Sequence, residues 1–183
     1  LVTGVQTCAL PILANKSQRG QRRRAKLIAA DIWGSTAYYP AEVLERDGPR
    51  VFHAGLQMFE DHLTESEKYD RPEGSVAKLV GKLITDAVFE ADGVDGPGLY
   101  ADIEFYESYL SRINEIADDI GLSVRVNGLV EDGEMQGRYG PIAVGLLAAT
   151  SVDIVTKAGA GGRLISILES DKGLAGTDRK SVV

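Results

Sequence analysis

Residues 107–130 read ESYLSRINEIADDIGLSVRVNGLV, and the change of period inside this stretch decides the fold class. Tyr109, Ile113, Ile116, Ala117 and Ile120 recur at helical spacing, which predicts a helix over Glu107–Ile120 with one apolar stripe. Gly121 follows as its expected C-cap. The period then drops to two: Leu122, Val124 and Val126 point one way, and Ser123, Arg125 and Asn127 the other. A helix that runs directly into a half-buried strand belongs to a domain that mixes the two.

Working outward, strands dominate. Leu122–Val130 and Tyr139–Ala149 are expected to pair as a hairpin across a polar turn at Glu131–Gly137. Ser151–Thr156 and Arg163–Leu168 read as two further strands around Gly159-Ala160-Gly161-Gly162. Upstream, Leu99, Ala101, Ile103 and Phe105 alternate on one face of a strand. That strand should form a hairpin with Val76–Glu90, one long or bent strand in which Gly81 marks a bulge. Gln57–His62 reads as a short strand or edge, Thr64–Gly74 as a flexible polar loop, and Trp33–Pro40 as a loop with aromatics. Ala25–Ile32 reads as the first strand; Pro40 opens a short helix over Ala41–Arg46, which Asp47-Gly48-Pro49 stops. Helices are too few for alternating βαβ units. The expected fold is therefore α+β and mostly β: a barrel-like antiparallel sheet with one long helix and one or more short ones.

The two ends of the 183-residue chain read differently from its middle. Back-translated, residues 1–12 (LVTGVQTCALPI) fit a sequencing-adapter read, and residues 178–183 (DRKSVV) fit the opposite adapter. Both are set aside from fold reasoning. With them goes Cys8, the single cysteine of the chain, so disulfide, thiolate and cysteine–zinc chemistry are not expected. Residues 13–24 read as a basic N-terminal tail, 25–170 as one globular domain and 171–183 as a C-terminal tail. No run is long enough for a membrane-spanning helix. A net charge of −7 disfavours direct nucleic-acid binding, which needs a positive surface.

The residues that could carry chemistry are few. The chain has two histidines, His53 and His62, so a base active near neutral pH has few places to be. His53 follows a helix stop and reads as structural. His62 and Ser123 form a base and a hydroxyl of the kind acyl transfer requires. Each has a plainer reading, as a surface histidine and as a solvent-facing strand serine, and no Gly-x-Ser-x-Gly elbow surrounds Ser123. Asp153 sits in an apolar strand and needs a partner. It is either in an ion pair with Arg125 or Lys157, or it is the group that orients His62. Lys157–Arg163 is glycine-rich but lacks the terminal Gly-Lys-Ser/Thr of a phosphate loop. It reads as a tight turn, or as a source of backbone N–H donors for an oxyanion. No His pair or acidic cluster has ligand spacing, so neither a metal nor a cofactor is expected.

An ordered set of segments resembles the capsid maturation (prohead) proteases of tailed bacteriophages. These are Tyr39-Pro40-Ala41-Glu42-Val43-Leu44 with Asp47-Gly48-Pro49, Met58-Phe59-Glu60-Asp61-His62, and Gly96-Pro97-Gly98-Leu99-Tyr100-Ala101-Asp102. Ile120-Gly121-Leu122-Ser123-Val124-Arg125 and the run Ser151–Gly162 complete the set. The sequence departs from the family at Leu63-Thr64, where Pro-Thr is common, and at Ser151, where some members carry Glu. The resemblance implies a fold like that of herpesvirus assembly proteases and a serine endopeptidase with Ser123 as nucleophile and His62 as base. The third member of such sites varies, and Asp153 is the candidate here. Arg125, Gly159, Gly161 and Gly162 are the candidates for oxyanion or substrate binding. The implied partners are the major capsid protein and the scaffold protein, with self-cleavage and a homo-oligomer as further expectations and no nucleic acid or membrane. The implied location is the phage procapsid in the host bacterial cytoplasm. The alternative is an inactive scaffolding domain of the same fold.

Overall fold

The computed structural model describes residues 20–168. The adapter-like ends, Cys8, the tail 171–183 and most of the basic N-terminal stretch lie outside the described residues. In order, the elements are β1 (Arg22–Ala29), β2 (Ile32–Trp33), β3 (Tyr38–Tyr39), α1 (Ala41–Val51), β4 (Gln57–Glu60), α2 (Glu65–Asp70), β5 (Leu79–Leu83) and β6 (Val88–Glu90). They continue with β7 (Gly98–Phe105), α3 (Leu110–Glu115), β8 (Gly121–Met135), β9 (Arg138–Val155) and β10 (Arg163–Leu168).

The fold is mixed and mostly strand, as expected. Among the described residues all strands join one sheet in the order β10-β1-β7-β5-β4-β9-β3-β2, with β6 beside β7 and β8 beside β9. The sheet is open, which corrects the barrel expectation. A single bridge from Leu122 to Gly162 brings β8 against the loop entering β10, but no ladder closes there. The sheet is also mixed, not purely antiparallel: β3 and β4 both run parallel to β9.

The long helix is the largest difference. After a 3-10 turn at Glu107–Tyr109, α3 lasts only six residues, and Ile116 is its C-cap. Asp118 and Asp119 follow, and carboxylates are unfavourable at the negative end of a helix. Ile113 alone is fully buried on α3, so one turn suffices to cover that part of the core. Gly121 is not a left-handed cap but the first residue of β8. An added Cβ there would lie 2.8 Å from the Ala158 Cβ and 3.1 Å from the Gly162 carbonyl.

Conversely, α1 runs past its expected stop. Pro49 lies inside it, and Val51 and Phe52 beyond are buried. A proline near a helix C-terminus forgoes one hydrogen bond, and burying two large side chains offsets that. Gly48 lets the helix approach β7: an added Cβ would stand 2.4 Å from Leu99 Cδ2. Asp47 fixes α1 to β9 by accepting from the Leu146 N–H at 2.9 Å and from Arg46.

The remaining differences are local. Thr64–Gly74 contains α2 instead of a flexible loop. The 76–90 stretch divides into a 3-10 turn, β5 and β6, with a register shift beside Gly81. The stretch read as a loop at Trp33–Pro40 forms, together with Ile32, the small β2–β3 hairpin. β8 and β9 are one hairpin that absorbs the expected separate strand at Ser151–Thr156, and its turn is only Gln136-Gly137, both at positive φ. Such a pair suits a tight hairpin turn. Arg22, Arg23 and Arg24, expected in a tail, begin β1 between β7 and β10. Arg24 pairs with Glu90 and Asp102, and Arg22 with Glu104.

Candidate active site

Three neighbouring strands build the site. β9 lies between β8 and β4, so Asp153 stands opposite Ser123 on one side and beside Phe59 on the other. His62 lies two residues past the end of β4. Asp61 turns the chain there at φ 62°, a left-handed conformation that short polar residues tolerate. The Asp61 N–H donates to the Ile154 carbonyl at 2.9 Å, which ties the turn to β9. On the far side Leu63 is buried and Thr64 caps α2 in a reciprocal capping box with Glu67. His62 is thus held between a tethered turn and a capped helix.

The side chains form a chain of contacts. His62 Nδ1 is 2.6 Å from Asp153 Oδ2, and His62 Nε2 is 3.0 Å from Ser123 Oγ. A carboxylate can only accept, so Nδ1 carries the imidazole proton and donates it to Asp153. Nε2 then offers a lone pair, and the Ser123 hydroxyl donates to it. Asp153 is 1% exposed and the His62 side chain 43%, so the carboxylate is dry while the imidazole faces the open cleft.

Burial pushes the Asp153 carboxyl up. Ser151 and His62 pull it the other way, as does the Arg125 charge, although the Ser151 hydroxyl falls outside hydrogen-bond geometry. Asp153 Oδ1 and Ser151 Oγ are both buried without a hydrogen-bond partner. His62 is therefore the one side chain that meets hydrogen-bond geometry with the Asp153 carboxylate among the described residues. Asp153 forms no ion pair with Arg125 or Lys157, the plainer alternative for this residue, among the described residues.

A cleft of about 280 Å³ opens over Ser123 and His62. Arg125 and Gly159 line it, but Gly161 and Gly162 do not. Gly162 has a structural task instead: its carbonyl accepts from the Leu122 N–H at 2.9 Å. An added Cβ would come within 2.3 Å of the Leu122 carbonyl and 2.6 Å of the Leu27 carbonyl. Gly161 takes φ 69° in the same turn. Sequence reasoning missed Ser35, Thr36, Tyr39 and Lys68, which also line the cleft. They fall in stretches read as loops, where no periodicity indicates which side chains face inward. His53 lies outside this cleft, with Nδ1 against the Ala54 carbonyl at 2.9 Å.

The arrangement can move a proton from a hydroxyl to an imidazole while a buried carboxylate stabilises the resulting cation. Comparison with protein-family models, with curated proteins and with solved structures found no match to this chain.

Proposed function

We propose that the chain is a serine endopeptidase in which Ser123, His62 and Asp153 act as nucleophile, base and orienting carboxylate. The observation that carries the proposal is the unbroken contact from Ser123 Oγ through both ring nitrogens of His62 to Asp153 Oδ2. Ser123 Oγ attacks the scissile carbonyl carbon while His62 Nε2 takes its proton. Collapse of the tetrahedral intermediate breaks the C–N bond, and His62 returns the proton to the leaving amine. Water, deprotonated by His62, then attacks the acyl ester and releases Ser123. Arg125 and the Gly159 backbone line the same cleft and are the donors proposed for the oxyanion.

The resemblance to prohead proteases narrows the substrate to capsid and scaffold protein inside an immature phage shell, and the fold to the herpesvirus assembly-protease type. The alternative is an inactive scaffolding domain of the same fold.

Denatured casein is a suitable general substrate, with new peptide N-termini read by mass spectrometry. Wild-type protein should generate them, and Ser123→Ala should lower the rate by about 10⁴-fold or more. New termini that persist unchanged in Ser123→Ala would refute the assignment.

A further inference from the structure

A second cleft, of about 240 Å³, lies between the β8–β9 hairpin and the turn joining β2 to β3. It shares Thr36 and Tyr39 with the cleft over Ser123, so the two adjoin, with β8 residues in the lining of both. Its floor is apolar: Val126, Leu129, Val130, Ala143 and Leu146. Leu129 and Val130 remain 54% and 55% exposed, although strand residues of this size are usually covered.

The charges differ between the two ends, with the Arg46–Asp47 ion pair beside Gly145 in the middle section. Lys68 and Arg125 line the Ser123 end. Past the apolar section β8 continues through Glu131, Asp132 and Glu134, none of which is in an ion pair among the described residues. Ser123 and Glu131 are eight residues apart on β8, about 26 Å at strand rise. The hairpin is braced at its tip: Trp33 Nε1 donates to the Met135 carbonyl at 3.1 Å, and Arg138 stacks over the Trp33 ring at 4.4 Å. These contacts hold the hairpin tip against β2.

We infer that this groove selects the substrate polypeptide well away from the scissile bond. It takes an extended segment with an acidic side chain near the cleavage site, aliphatic side chains over Leu129 and Ala143, and basic side chains beyond them. The inference deepens the endopeptidase reading and rests on it only for the position of the scissile bond.

Binding can be read without turnover, on Ser123→Ala protein, by fluorescence anisotropy. The probes are two labelled decapeptides of the order acidic–Leu/Val–basic, one in each chain direction, and a control with a serine centre. One direction should bind at least about tenfold tighter than the other and than the control. Ala143→Asp should abolish that preference. The paired charge reversal Glu131→Lys, Asp132→Lys should transfer it to a peptide whose basic end is replaced by Glu. These two residues are exposed, so the reversal tests the idea even if Ala143→Asp fails to fold; thermal melting by circular dichroism reports folding in each case. Equal binding of all three peptides, or a preference that ignores the charge reversal, would overturn the inference. Hydrolysis of p-nitrophenyl acetate by wild-type protein reports separately on Ser123, so failure of the groove and failure of the nucleophile are distinguishable.

Discussion

At Asp153 the two carboxylate oxygens have different surroundings: Oδ2 accepts from His62, and Oδ1 is buried with no partner. Burial raises the pKa of this carboxyl. The folded state thus holds a proton on Asp153 more tightly than the unfolded chain does. The stability this contributes is full below the ordinary carboxylate range and is lost as pH rises through the raised value. Wherever the side chain is ionised, its burial is a burden that function explains and packing does not. Asp153→Asn should consequently melt no lower than wild type at pH 7, while its p-nitrophenyl acetate hydrolysis falls by about 10³-fold or more, since the tautomer of His62 is no longer set. A large drop in melting temperature would show instead that Asp153 is a structural anchor.

Among the elements, the turn before β10 and the cap of α2 decide where the reactive groups sit. Gly162 touches two backbone carbonyls that cannot move aside. Gly162→Ala should destabilise by about 2 kcal/mol or more in urea unfolding, as overpacking against fixed atoms does; a neutral effect would mean that the β8 junction is loose. How much of this was legible in the sequence varied with the kind of signal. Alternation in β7 and the β8–β9 pairing were readable, because a strand face repeats every second residue. The long helix was not, because Ile116, Ala117 and Ile120 keep helical spacing while Asp118 and Asp119 end the helix early. Gln57–His62 was readable as a short strand but not as an interior one between β5 and β9, since partner choice leaves no local mark. His62, Ser123 and Asp153 could be named singly from residue type and resemblance. Their contact depends on β4 running parallel to β9, which no spacing in the chain encodes.

Across the whole molecule, acid stability should follow the paired carboxylates. The Arg46 guanidinium holds Asp47 down to about 2, from an ordinary 3.8, against the burial that would raise it. Glu67, beside Lys78 and the Thr64 backbone, is held down to about 2, from 4.5. Both contributions are present above the ordinary values and are lost as pH falls toward about 2. Urea midpoints should therefore fall steeply in that window, and Asp47→Asn should flatten the acid limb; an unchanged limb would remove Asp47 from the account. The same carboxylate joins α1 to β9, the strand that carries Asp153. The docking of the helix and the order of the site should thus fail together in acid.

The most direct measurement is covalent. Folded protein is exposed to a fluorophosphonate at pH 7 and the adduct is located by mass spectrometry, with His62→Ala treated in parallel. A single adduct on Ser123 that disappears in His62→Ala is the predicted result. A folded protein that remains unlabelled, or a Ser123 adduct that forms as fast without His62, would contradict the assignment of an activated serine.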